Sequence, residues 1–377
     1  MNMNQNIISQ AAIKKSKEDH LPFLDGFRGF AALWVVAFHS MRITGAHIPI
    51  INEGLAAVQV FMIMSGFLMA YHYYARQLKE PWETPSTWKK FYIRRFFRIA
   101  PLYYALLIVY WIAGPTLGEY RKEISHVYES VNPLESRYSD RSLKNVLWHA
   151  SFLFGASPEY SFHSPMPDWS IGLEMQFYLV FPFLMLLFSG RYFYIHATLI
   201  FIACKVFNKL LIKGAFVMPS FLTLSMVYFL IGILLAVSHQ FKSEPGKKWP
   251  ALITAFGLAV VSKQILIVVI TLVIMFLLHA PSKGQIHRFI HRLLSNRLTA
   301  WMADLSYCVY LLHMLFLLPA AYFLTRQQQF IDLPGFLRFL IVFVATVVPV
   351  YLCAIPVFHF LERKGIALGK QIVTRVN

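Results

Sequence analysis

The amino-acid sequence predicts an all-α, polytopic membrane protein with about ten transmembrane helices and one re-entrant or interfacial segment. Hydrophobic residues fill 57% of its 377 positions and charged residues only 14%; a soluble domain has about half and about a quarter. The apolar residues gather in runs such as LVFPFLMLLF, LIVVITLVIMFLLH and FLIVFVATVVPVYLCAIPVF, none of which keeps a polar face for water. Lipid offers a free amide no partner, so such runs must be helices. The basic residues alternate between rich and poor segments, as membrane orientation requires.

Residues 1–20 are mostly polar and are expected to form a cytoplasmic tail. The first apolar stretch carries Asp25 and Arg28 and is followed by no small-residue cleavage site, so we read a retained span at 22–43 rather than a signal peptide. Spans follow at 54–75 and, after the basic run KKFYIRRFFR, at 99–114. The stretch NVLWHASFLFGAS at 145–157 is too short to cross and is assigned as re-entrant or interfacial. Asp168 opens the next span, 168–188, where a helix cap is its expected role. The remaining spans are placed at 192–207, 217–238, 249–262, 264–281, 301–324 and 335–360. One membrane domain is expected over 21–362, with a short cytoplasmic tail at 363–377.

With the N-terminus inside, the inner segments hold 22 of the 35 Lys and Arg residues, the outer segments 10, and the spans three. This bias puts both termini in the cytoplasm. Counting 145–157 as a crossing would expose the basic stretch KGQIHRFIHRLLSNR outside. The net charge of +17 is therefore read as membrane orientation, with no nucleic acid partner. The largest loop is expected outside, at 115–144. Cys204, Cys308 and Cys353 lie in apolar segments without CxxC spacing, so neither a disulfide framework nor a metal site is expected.

Ionisable residues inside spans are costly and are functional candidates. Arg28 and His39 are eleven residues apart, close to three helical turns, so they share a face about 16 Å apart along the axis. An imidazole there can take and return a proton near neutral pH; the competing role is a hydrogen-bonded core histidine. Arg95 and Arg98, with Arg94 beside them, share the face of a helix entering from inside. Guanidinium forks suit phosphates, although such arginines also anchor helices to lipid headgroups. Glu174 lies about two turns into its span, where it serves chemistry or a buried ion pair. Asp304 and Tyr307, near Ser306 and His313, are expected to link helices.

These residues stand in segments that resemble the acyltransferase-3 family of integral membrane acyltransferases, over about 20–365. FLDGFRGFAALWVVAFHS is similar to its first helix, with the Arg-x10-His pattern falling on Arg28 and His39. VQVFMIMSGFLM resembles the Ser-Gly-Phe segment. RRFFRIAPLYY resembles the Arg-x-x-Arg stretch at Arg95 and Arg98. DWSIGLEMQFYLVFP resembles the segment that carries Glu174, with Ile171 in place of leucine. DLSYCVYLLHM and FHFLERKG resemble the last two segments, with Lys364 where the family often has proline.

The resemblance implies a glycan O-acetyltransferase type, without the extra periplasmic hydrolase-like domain of some members. Its co-substrate would be an acyl-CoA, most often acetyl-CoA, with no metal. Its acceptor would be a cell-surface or lipid-linked carbohydrate, and its place the bacterial inner membrane, among membrane lipids. It implies catalytic roles for His39, Arg28 and Glu174, and donor-binding roles for Arg95, Arg98 and Arg94. A transporter or flippase using the same buried Arg, His and Glu is the competing class. That class should show broken helices at matching places in two halves, and the sequence shows none.

Overall fold

The structure is a computed structural model that describes residues 21–376 except 78 and 130. The expected N-terminal tail, 1–20, lies outside the described residues. Among the described residues there is no strand. The main helices are α1 (Pro22–Ile43), α2 (Gly54–Arg76), α3 (Pro85–Val127), α4 (Leu143–Ala150) and α5 (Trp169–Phe188). They continue with α6 (Phe193–Phe207), α7 (Leu222–Gln240), α8 (Pro245–Val261), α9 (Ile265–His279) and α10 (Gln285–Leu294). The chain ends with α11 (Arg297–Thr325), α12 (Gly335–Val357) and α13 (Arg363–Thr374).

A helix lies at each of the ten expected spans. Among the described residues seven helices are long and apolar enough to cross a membrane. Outside that set are α1, which carries Asp25, Arg28 and Arg42, and the shorter α8 and α9, of 17 and 15 residues. The core is built on α2, α7 and α11. In the most apolar part of α7, 83% of residues are buried, against 6% in the helix Phe193–Ile212, so the former is central and the latter peripheral.

The central helices touch through small residues. A Cβ added at Gly232 of α7 would sit 2.1 Å from the Ile63 carbonyl oxygen of α2, and one at Gly66 of α2 would sit 2.3 Å from the Phe229 carbonyl oxygen. Close backbone approach of this kind replaces the hydrophobic drive that lipid removes. On the other side, Gly29 of α1 meets Met302 of α11, which fixes the register of the helices carrying His39 and His313.

Three boundaries differ from those expected. First, α3 runs for 43 residues, about 64 Å at the helical rise, so the span 99–114 is only its middle. Residues 115–127, expected as loop, continue the helix, because Glu119, Arg121, Lys122 and Glu123 suit a hydrated helix as well as a loop. Second, 145–157 forms α4 and a single 3₁₀ turn, Leu153–Ala156. Eight residues reach about 12 Å, too short to cross. Ser142 caps α4 by accepting from the Asn145 amide at 3.1 Å. Leu143, Leu147 and Leu153 are exposed along one flank, which suits an interfacial position. Third, the expected C-terminal tail is the helix α13, joined to α12 by one π turn at Phe358–Glu362. Its Gly365 and Gly369 lie against Pro101 and Phe97 of α3. Hydropathy missed it because it is polar on average and packs by shape.

Candidate active site

A cavity of about 350 Å³ lies among α1, α2, α3, α5, α7 and α11. Its polar wall is assembled from helical i, i+3 and i, i+4 neighbours, which stack on one face. Arg28 comes from α1, Arg95 and Arg98 from α3, and Ser170, Glu174 and Tyr178 from α5. Ser65 and His72 of α2 and Ser306, Tyr307 and Tyr310 of α11 complete it. The apolar remainder includes Met62, Met64, Met69 and Phe229, flexible thioethers that adapt to a long thin ligand.

The three arginines are not equivalent. Arg98 Nη1 lies 3.2 Å from Glu362 Oε1, whose side chain is fully buried, without the alignment of a hydrogen bond. The other Glu362 oxygen accepts from Cys308 Sγ at 3.2 Å. Among the described residues Arg28 makes only long polar contacts, 3.5 Å to Ser306 Oγ and 3.8 Å to Asp25. Arg95 forms no ion pair among the described residues; the rings of Phe91 and Tyr178 flank its guanidinium, each at 5.6 Å. Its buried Nε has no hydrogen-bond partner. Of the three, Arg95 keeps most of its fork for a ligand.

Glu174 is held by hydroxyls, not by an arginine. Its Oε1 accepts from Ser65 Oγ at 3.2 Å and from the Tyr178 hydroxyl. The expected alternative of a direct ion pair across spans belongs instead to Arg98 and Glu362. Arg94 does not line the cavity. It grips Glu80 with both terminal nitrogens, at 2.9 and 2.7 Å. Burial pushes the Glu80 carboxyl up, but the Arg94 fork prevails and holds it below its ordinary value.

His39 also stands outside the cavity lining, in the C-terminal half of α1. Its half-buried ring lies 5.1 Å from that of His313, at 30°, and edge-on to Phe38 at 5.0 Å. Tyr310 connects the two regions. Its ring lines the cavity and its hydroxyl lies 2.7 Å from Ser170 Oγ, while its carbonyl oxygen lies 2.7 Å from His313 Nδ1. The structure therefore gathers Arg28, Arg95, Arg98 and Glu174 in one chamber, with His39 outside its lining and against the ring of His313.

Asp168 does not cap α5 as expected. Its own backbone is already near-helical, at φ −102° and ψ −3°, and its side chain makes no capping bond. It accepts from the Tyr103 hydroxyl at 3.1 Å and lies 3.7 Å from His149 Nε2, all three buried. Tyr307 does link helices, donating to the Ile99 carbonyl at 3.0 Å, whereas Asp304 is exposed. Among the described residues no group of three or more His, Cys, Asp or Glu side chains is placed to hold a metal ion.

A family profile described as an acyltransferase domain matches residues 21–355, nearly the whole membrane region. The chain belongs to the acyltransferase-3 family. The peptidoglycan O-acetyltransferase OatA of Listeria monocytogenes is 28% identical over 185 residues, 45% of this chain and 25% of that protein. The acyltransferase MdmB of Streptomyces mycarofaciens is 31% identical over 170 residues, 43% of this chain and 38% of that protein. A protein of Caenorhabditis elegans named regulator of hypoxia-inducible factor 1 is 30% identical over 169 residues, 44% of this chain and 28% of that protein. The matched part is thus well under half of each relative's length. No solved structure matches the chain.

Within the acyltransferase-3 chain, Ser65, Ser170, Tyr178, Tyr310 and Glu362 join the site without having been chosen as its candidates. Glu362 carried a signal in the sequence, an acidic residue at the end of the last apolar run. The partner that explains it, Arg98, is far off along the chain. His313 carried a signal too, in its i, i+3 spacing from Tyr310.

Proposed function

We propose that the protein transfers an acyl group, with acetyl the simplest case, from cytoplasmic acyl-CoA to a hydroxyl of a cell-surface or lipid-linked carbohydrate. It would do so in the bacterial inner membrane with both termini in the cytoplasm. The observation that carries this reading is the cavity that gathers Arg28, Arg95 and Arg98 around Glu174 beside the helix bearing His39. A nucleotide with phosphates and a thin pantetheine arm matches a chamber that is cationic on one wall and methionine-lined on another. Arg95 would hold a phosphate with its free fork, assisted by Arg28, while Arg98 remains tied to Glu362. Arg94, clamped to Glu80 and off the cavity lining, would serve the donor from the chamber's edge.

The acceptor oxygen attacks the thioester carbonyl, the carbon–sulfur bond breaks, and the departing thiolate takes a proton. His39 serves as the base that removes the hydroxyl proton and returns it to the thiolate. Of the paired hydroxyls at the cavity wall, Ser170 and Tyr310, the one that accepts from the other keeps its own proton to donate to the oxyanion. Glu174, fixed by two hydroxyl donors, would offset part of the positive charge of the three arginines that line the same chamber.

Washed membranes containing the protein, given labelled acetyl-CoA and cell-surface glycan, should transfer label to the glycan. Membranes with the Arg95→Ala variant should do so only at much higher donor concentration. Transport of acetyl-CoA or glycan across sealed vesicles without any acyl transfer would overturn the reading in favour of a transporter.

A further inference from the structure

We infer that His313 is a positioning residue for His39: it fixes which nitrogen of His39 acts as base and steadies the charge that His39 acquires. This rests on the proposal that His39 is the base. Three observations carry it. His313 is fully buried. Its Nδ1 lies 2.7 Å from the Tyr310 carbonyl oxygen; a carbonyl only accepts, so the ring proton sits on Nδ1 and Nε2 keeps its lone pair. That Nε2 is sealed from solvent and has no hydrogen-bond partner among the described residues, a costly state for a buried polar atom unless a partner arrives in function.

The partner within reach is His39. An N–H···N bond between two imidazoles places the ring centres about 5 Å apart, one hydrogen-bond length plus two ring radii. The observed separation is 5.1 Å at an interplanar angle of 30°. A turn of the half-buried His39 ring points its single N–H at His313 Nε2. Its other nitrogen is then unprotonated and available to the acceptor hydroxyl. When that nitrogen takes the hydroxyl proton, His39 becomes an imidazolium whose remaining N–H is already bonded to a neutral acceptor. When the proton passes to the departing thiolate, both rings are neutral again, so no proton is gained or lost. The carboxylate of a hydrolase triad does the same work, but a neutral imidazole does it without a second buried charge. The close contact of Gly29 with Met302 holds α1 and α11 in the register this pairing needs.

The test compares purified wild type, His39→Ala, His313→Phe and His313→Gln in acyl transfer from acetyl-CoA. Phenylalanine keeps a ring against His39 and lacks the nitrogen; glutamine has a carbonyl that can accept. The expected result is a kcat lowered about tenfold or more by His313→Phe, a donor KM within about twofold of wild type, and recovery of most of kcat in His313→Gln. Wild-type kcat in His313→Phe would reduce His313 to packing. Equal loss in both variants would also overturn the inference, since the lone pair would not be what matters. If His313→Phe does not accumulate, His313→Met serves as the nitrogen-free variant, with the same two readings. Activity in His39→Ala would instead remove the base itself, and failure of wild type to transfer would remove the proposed function. An inactive His39→Ala beside an unaffected His313→Phe would overturn this inference alone.

Discussion

Arg95 and Arg98 look alike in sequence, three residues apart on one helix face, yet the structure separates their roles. Under the proposed function Arg95→Ala would remove a charge-assisted phosphate contact, about 1.5–3 kcal/mol, so donor affinity should fall on the order of tenfold to hundredfold. Arg95→Lys should restore only part, because an ammonium lacks the fork. Acyl-CoA binding to the purified variants measures this, and equal affinity across wild type, alanine and lysine would move the phosphate site elsewhere. Arg98→Ala is a different experiment. It strands the buried Glu362 carboxylate, a loss of about 3–5 kcal/mol of stability. Adding Glu362→Gln removes the stranded charge, so the double variant should be more stable than Arg98→Ala alone. Thermal unfolding in detergent checks the order; a double variant less stable than the single one would mean that the pair is not coupled. Spacing revealed which arginines share a face. It could not reveal which already has a carboxylate, because that carboxylate comes from the far end of the chain.

At the scale of elements, a helix lies at each expected span, seven of them among the described residues being long and apolar enough to cross a membrane, and the misread segments share one cause. Hydropathy reports the solvent of a segment and not its conformation. The C-terminal third of α3 and all of α13 are helical but polar enough to read as loop or tail, whereas α4 is as short as the sequence led one to expect. Packing between elements was also silent in the sequence, since a glycine in an apolar run does not announce what it touches. The contact of Gly232 with the Ile63 carbonyl gives a direct consequence. Gly232→Ala forces α7 and α2 apart and should cost about 1–3 kcal/mol, seen as a lower melting temperature. Gly257→Ala, where nothing lies within 4 Å of the added Cβ, is the matched control on a neighbouring helix. Equal melting temperatures for the two variants would show that the α2–α7 crossing relaxes freely.

For the whole molecule, the proposed orientation rests on the excess of basic residues on one side. In that orientation the same side also bears the start of α1 and the arginines of α3, so the proposed cytoplasmic donor would meet the cationic cavity wall. Cysteine introduced by Glu119→Cys, on the outward extension of α3, should react with an impermeant reagent added to intact cells. Cysteine introduced by Lys283→Cys, before α10, should react only after the membrane is opened. The reverse pattern would invert the topology and remove cytoplasmic acyl-CoA from reach of Arg95. The overall account joins this orientation to the chemistry: donor held at the arginines, proton taken at His39. It is tested most directly by a single-turnover measurement with purified protein, labelled acetyl-CoA and glycan acceptor, comparing wild type with His39→Ala. The account predicts that both bind the donor with similar affinity and that only wild type passes label to the acceptor. Label transfer at the wild-type rate by a well-folded His39→Ala protein would contradict it.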